Sequence, residues 1–379
     1  MHGKHGRAEL PSPDPQALAA SRALLDRIGA ELGAAGNWIA FARYMELVLY
    51  EPGLGYYAAG ARKLGAGGDF VTAPELSPLF GRTLARQVAE LLQPGDAVLE
   101  FGAGSGALAE AILGELEGLD YLILEPSAEL ADRQRSRIGN RAQWIDRLPP
   151  GFRGVMLANE VVDAMPVHAL AWTHKGVLER GVCANEGTLA WSDRAATAAV
   201  LANARELEIE IPPSGRYESE LALLARAWMR SLGRFLERGM ILVVDYGFPA
   251  REYFHPQRSM GTLACHYRHH VHDDPFYLPG LQDVTAHVDF SALAGAASGA
   301  GMDVLGYANQ AQFLVNCGIT ELLAEENPAD AKRYLPAAAA AQKLLLPSEM
   351  GELFKVLAVG KGVKGSLMGF SRGDRSGTL

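Results

Sequence analysis

The chain has 379 residues, more than a usual single domain, so either one large core with sizeable insertions or two domains is expected. At 49% hydrophobic and 21% charged residues, the composition is globular and excludes disorder for most of the length. A formal net charge of −9 argues against a protein that tracks nucleic-acid phosphates, and no apolar run reaches the length of a membrane span.

Cys183, Cys265 and Cys317 are few and far apart, with no paired spacing, so neither a disulfide framework nor a structural zinc site is indicated. The N-terminus lacks an apolar leader segment. Together these point to a reducing compartment, and a cytoplasmic protein is expected.

In chain order, 1–15 is rich in Gly, Pro and charge and is expected to be disordered. Residues 15–33 carry Leu18, Leu24, Leu25, Ile28 and Leu32 at helical spacing. A second helix is expected over 39–49, stopped by Glu51-Pro52-Gly53. The run GDFVTAPELSPLFG at 68–81 has no clean period and two readings stand. It is the start of a helix, with Ser77 as N-cap and Pro78 in first position, or it walls a ligand site and brings Thr72 and Glu75 to substrate. A helix follows to residue 92, which closes an N-terminal helical or lid region of 16–92.

From residue 97 strand and helix alternate: strands over 97–101, 120–125, 143–145 and 155–159, helices over 107–116 and 128–138. Such alternation builds a parallel sheet covered on both faces, with ligands at the carboxyl ends of its strands. The first crossover reads VLEFGAGSGALAE, and its glycines Gly102, Gly104 and Gly106 let a ligand lie against bare backbone at a helix N-terminus. Gly102, Gly104 and Ala107 also meet a relaxed dinucleotide fingerprint. Glu100, two residues before the turn, would repel a pyrophosphate and attract a cation. A second acid, Glu125, ends the strand YLILE where a ribose-binding carboxylate is expected. S-adenosylmethionine (SAM), with an ammonium, a sulfonium and no phosphate, suits this pair of acids. A dinucleotide site, or a glycine turn that only packs a helix on the sheet, stays open from these residues alone.

The run LANEVVDAMPVHAL puts Asn159, Glu160 and Asp163 after the fourth strand, on the same rim. They either cap a short helical turn or face the transferred methyl and its acceptor. An inserted segment of short strands and an alanine-rich helix is expected at about 169–215, then a long helix over 219–238 and a fifth strand over 239–246 with Asp245 at its end. A second insertion is expected at about 250–300. It holds His266, His269, His270 and His272 with Asp273 and Asp274, at spacings that match no zinc or facial-triad layout. With Arg268 they read as a basic wall, and no metal is expected. His287 and Asp289 in TAHVDFSAL either start a helix or form a hydrogen-bonded pair in the site. Strands over 302–307 and 353–361 are expected, similar to the antiparallel closing hairpin of SAM-dependent methyltransferases. The methyl-transfer domain would span 93–362, and the Gly/Ser-rich 363–379 is expected to be a flexible tail.

Together GDFVTAPELSPLFG, LEFGAGSGALAE, LANEVVDAMPV, VVDYG and QDVTAHVDFSAL, in this order over roughly 38–361, resemble the MidA family of SAM-dependent methyltransferases. That family includes a mitochondrial protein-arginine methyltransferase needed for assembly of respiratory complex I. The resemblance implies a seven-stranded class I (Rossmann-like) α/β sheet with an N-terminal helical extension and inserted segments. It implies that Gly102, Gly104 and Gly106 cradle SAM and that Glu125 binds its ribose, with Glu100 and Asn159 as further cofactor contacts. The family's turn usually reads G-P-G-R-G, whereas Ala103 and Ser105 stand here at the second and fourth places. The implied acceptor is an arginine of a protein, such as a respiratory-complex subunit. Carboxylates would hold its planar fork, with Glu160 and Asp163 as candidates beside Asn159, and Glu75 as a third. A small-molecule methyltransferase and a catalytically silent SAM-binding assembly factor stay open as alternatives, and the oligomeric state is not legible.

Overall fold

A computed structural model describes residues 10–58 and 72–379; the expected disorder of 1–9 and the GDFV part of the 68–81 run lie outside the described residues. The chain divides into two compact units. One consists of 71–165, 222–255 and 287–379, the other of 1–70, 166–221 and 256–286. The inserted segments thus begin and end a few residues away from the expected 169–215, and the second is much shorter than 250–300. The helix behind Ser77, expected with the N-terminal region, belongs to the unit that carries the glycine turn.

That unit is built on seven strands: β1 (Ala97–Phe101), β2 (Asp120–Leu124), β3 (Gln143–Ile145), β4 (Phe152–Asn159), β5 (Leu236–Phe248), β6 (Asp303–Asn309) and β7 (Phe354–Lys361). Their order across the sheet is β6-β7-β5-β4-β1-β2-β3, and the two-residue strand Val288–Asp289 pairs with the end of β5 as an eighth member. Strands β1 to β5 run parallel. Strand β7 is antiparallel to both of its neighbours, as the closing hairpin predicts. The strand order reverses between β1 and β4, and in open α/β sheets the crevice beyond that reversal is where ligands sit.

Alternate residues of the sheet feed two cores. Val98, Tyr121, Val155 and Leu242 pack with Phe80, Leu84 and Val88 of α1 (Pro78–Leu91) and Ile112 of α2 (Ala107–Glu115) on one face. Leu99, Met156, Ile241 and Val243 meet Met229 and Leu232 of α4 (Leu223–Phe235) and Phe290 and Leu293 of α5 (Phe290–Ser298) on the other. Helix α3 (Ala128–Ile138) follows β2. Burial on both faces explains the unbroken apolar runs of β4 and β5, each fully buried large side chain contributing about 1.5–3 kcal/mol. The helix expected over 219–238 starts late, because Arg216–Leu221 pairs with His168–Thr173 as a strand of the other unit.

Residues 363–379 do not form the expected mobile tail. Leu367 and Phe370 are buried, and the Arg375 N–H donates to Tyr307 O (2.6 Å) while the Tyr307 N–H donates to Asp374 Oδ1 (3.0 Å). The segment thereby covers the outer edge of β6, which would otherwise present unpaired backbone groups.

The other unit holds helices Pro15–Ala34 and Phe41–Tyr50, the first capped by Asp14. It also holds an antiparallel sheet of Ile39–Ala40, Gly176–Asn185, His168–Thr173, Arg216–Leu221 and Thr188–Ala195. A separate sheet joins His270–His272, Ala264–Tyr267 and Asp283–Thr285. The histidine run is therefore a hairpin, turned by Arg268 and His269 at positive φ. Among the described residues no group of three or more His, Cys, Asp or Glu side chains is arranged to hold a metal ion.

Candidate active site

The chain turns sharply out of β1. Gly102, Gly104 and Gly106 have φ of +56°, +54° and +83°, a region that side chains with a Cβ seldom occupy. At Gly106, the N-cap of α2, a Cβ would also come 3.0 Å from Ile138 Cδ1. Because no side chain caps α2, its first N–H groups face the turn, as the sequence predicts.

Glu125 lies beside this turn, half-buried. Its Oε1 accepts from Ser127 N (2.9 Å) and its Oε2 from Gln134 Nε2 (3.0 Å). Burial raises its pKa, and these two bonds pull it back down. Glu100 is 2% exposed and accepts from the Tyr121 hydroxyl (2.7 Å). Burial pushes its pKa up to about 7, the Tyr121 bond opposing and the charge of Glu125 adding to the rise. The cation-attracting acid of the sequence reading is thus a buried group that holds its proton near neutrality.

The 72–76 segment joins the same turn. Thr72 starts the short helix Ala73–Leu76 and Ser77 caps α1 by accepting from Leu79 N (3.2 Å), so the helix-start reading of this run holds. Glu75 meanwhile accepts from Ser105 Oγ and from Arg137 Nη1 (3.4 Å), and Arg137 reaches Ser105 Oγ at 2.9 Å and Glu110 at 2.6 Å. Glu75 is therefore bonded within the turn region, and Arg137 of α3 brings a guanidinium to the place where the family's turn usually has its own basic residue.

At the end of β4 Asn159 Nδ2 donates to Glu160 Oε1 (3.1 Å), an assignment required because a carboxylate only accepts. Asn159 Oδ1 is then buried without a partner among the described residues. Glu160 sits at φ +53°, a strained position for a residue with a Cβ, with its N–H on Val244 O (2.9 Å) and its Oε1 also accepting from Ala73 N (3.3 Å). Asp245, fully buried at the end of β5, accepts from the N–H groups of Val162 (2.9 Å) and Asp163 (3.2 Å) and so fixes the turn that follows. Asp163 faces inward and accepts from the Tyr246 hydroxyl; burial raises its pKa to about 6. Burial drives Asp245 well above the usual carboxylate range, and the nearby charges that add to the rise are those of Asp163 and Glu160.

Of the two more distant candidates, Asp289 caps α5 through Ala292 N (3.0 Å) and lies 4.0 Å from Arg226, which is the capping role. The His287 ring stacks on Phe248 (5.2 Å) and meets the Tyr246 ring edge-on (5.1 Å). Sequence reading missed Gln134, Arg137 and Tyr246. Gln134 alone left a signal, a polar residue on the buried stripe of α3 between Ala131 and Ile138.

Residues 79–308 match the model of a family described as S-adenosyl-L-methionine-dependent methyltransferases. The chain belongs to that family. A protein from Burkholderia thailandensis solved bound to S-adenosyl-homocysteine is 49% identical, with 98% of this chain and 100% of that one covered and a TM-score of 0.93. A native crystal structure of a Burkholderia thailandensis protein, solved with iodide ions, gives 48% identity, the same coverage and a TM-score of 0.90. Among curated relatives, the mitochondrial protein arginine methyltransferase NDUFAF7 of Danio rerio is 29% identical over 89% of this chain and 87% of its own. Its Homo sapiens counterpart is 28% identical over 85% and 80%.

The chain is thus a SAM-dependent methyltransferase of the MidA-like kind. The turn leaves its backbone bare, with the half-buried Glu125 beside it and the Asn159 oxygen without a partner among the described residues. The cytoplasmic expectation is overturned by the curated relatives, which are named as mitochondrial proteins. Unpaired cysteines indicate only a reducing setting, which is not peculiar to the cytoplasm. Among the described residues no helix is long and apolar enough to cross a membrane.

Proposed function

We propose that the chain transfers a methyl group from SAM to a side-chain nitrogen of arginine in a protein substrate. The observation that carries this reading is the buried Asn159 Oδ1 without a partner among the described residues, beside the strained Glu160, in a rim where Asp163 and Glu160 act on Asp245. An acceptor that brings N–H donors and positive charge answers the orphan oxygen and the acidic rim, and a guanidinium does so with one planar group. The names of the curated relatives point the same way.

In this reading Gly102, Gly104 and Gly106 line the cofactor, Glu125 takes its ribose hydroxyls, and the buried Glu100 supports the turn from beneath. The bound cofactor supplies an electrophilic methyl on a sulfonium. Asn159 and Glu160 hold the acceptor nitrogen in line, a service that alignment can make worth about 7–11 kcal/mol. Glu160 draws the guanidinium charge away from the attacking nitrogen and is placed to take the proton that nitrogen loses. Asp163, turned inward, acts through Tyr246 as a positioning residue, as Thr72 and Glu75 do from the other side. His287 lies beside Tyr246 at the edge of the acceptor region, and Asp289 supports it by capping α5. Strands β1–β7 are read as the class I core, with Val288–Asp289 and the segments of the other unit as additions; the strand order supports this.

The test is incubation of the full chain with methyl-labelled SAM and cell lysate, followed by acid hydrolysis. Label in methylarginine is expected. Label confined to small molecules favours the small-molecule alternative, and cofactor binding without any labelled product favours a silent assembly factor; either overturns the proposal.

A further inference from the structure

We propose that Gln134 is a positioning residue for the cofactor, one that orients Glu125 and the glycine turn together; this rests on the reading of Glu125 as the ribose acid. The Gln134 side chain is fully buried, in the last turns of α3. Its Nε2 donates at once to Gly104 O (3.0 Å) and to Glu125 Oε2 (3.0 Å), and its Oε1 accepts from Trp144 Nε1 (2.8 Å). An indole N–H can only donate, so the Trp144 bond dictates which end of the amide is the oxygen and turns both remaining N–H groups toward the site.

Two consequences follow for a ligand. A carboxylate has about four acceptor positions. On Glu125 one on each oxygen is used, by Ser127 N and by Gln134, which leaves one on each oxygen for a pair of neighbouring hydroxyls. The second consequence concerns the turn. With Gly104 O held by Gln134, the planar peptide that follows cannot rotate, so the Ser105 N–H keeps a fixed direction. One buried amide thereby couples the sugar-binding acid to the backbone that meets the rest of the nucleoside, and Trp144 of β3 holds that amide in place.

The experiment measures binding of S-adenosylhomocysteine and of its 2′,3′-dideoxy analogue by calorimetry, on the full chain. Wild type binds the hydroxylated ligand more tightly, and Gln134→Met is expected to lower that preference by about tenfold, the worth of a hydrogen bond to a charged group. Glu125→Gln lowers it as well, and the double variant falls no further than Glu125→Gln alone. If Glu125→Gln leaves the preference intact, the reading of Glu125 fails. If Glu125→Gln lowers it and Gln134→Met does not, the proposal for Gln134 fails on its own. Gln134→Glu gives a second readout that a merely structural role would not move. It sets two carboxyls side by side, so affinity for S-adenosylhomocysteine should fall as pH rises and the shared proton leaves. A loss of the same size at every pH overturns the assignment.

Discussion

The two ends of the candidate site are built on opposite terms. Around the glycine turn the polar groups answer one another: Glu125 with Ser127 and Gln134, Glu100 with Tyr121, Glu75 with Ser105 and Arg137. At the ends of β4 and β5, Asp163 and Glu160 add to the raised pKa of the buried Asp245, a carboxamide oxygen has no partner among the described residues, and Glu160 occupies a strained backbone position. The first arrangement presents a finished surface to a ligand that must bind in one way. The second leaves interactions unmade, and a group that completes them during the reaction gains most from doing so.

If this division is right, substitutions at the two ends should separate binding from turnover. The largest effect is expected for Glu160→Gln, which should cut methyl transfer by about a hundredfold or more. Its affinity for S-adenosylhomocysteine, by calorimetry, should stay within about threefold of wild type. An equal loss of both would erase the distinction.

Glu100→Gln probes the buried acid under the turn. Its pKa rises on folding to about 7, so between about pH 4.5 and 7 the folded state binds more protons than the unfolded state and stability falls as pH rises. Glutamine keeps an acceptor for Tyr121 without that charge. The variant should therefore be more stable than wild type by up to about 3 kcal/mol at pH 8, with little difference at pH 4, in urea unfolding. The same variant should bind S-adenosylhomocysteine less well, and a variant that is no more stable at high pH would show that burial is not what holds the proton.

Gly106→Ala tests the turn itself. The positive φ and the 3.0 Å approach to Ile138 should cost about 1–2 kcal/mol of stability, read as a lower thermal midpoint. Smallest is Arg137→Ala, which removes half-exposed pairs to Glu75 and Glu110 and should weaken S-adenosylhomocysteine binding by no more than about fivefold. A loss of about a hundredfold in that affinity would move Arg137 from support to direct contact.

Local chemistry makes part of this legible in the sequence. The glycine turn, Ser77 with Pro78 as a helix start and the parallel strands follow from spacing and residue type within short windows, while the antiparallel pair that closes the sheet follows from the family resemblance. The strand at Arg216–Leu221 is not legible there. Its residues pair with His168–Thr173, and that distant edge outweighs the helical pattern running on from it. The segment 363–379 misleads in the same way, since its composition is that of a linker while Leu367 and Phe370 are buried against the core.

By itself, then, the sequence determined the layered α/β architecture, the place of the glycine turn and the residue types on its rim, because periodicity and turn chemistry are properties of neighbouring residues. Only the tertiary structure decided which of those residues are bonded within the protein. Asp163 and Asp289 were turned to internal bonds, Glu100 was buried until it keeps a proton near neutrality, and Gln134 and Trp144 were brought to the turn from α3 and β3. Burial, charge environment and long-range hydrogen bonds depend on what packs alongside, and no window of sequence contains that.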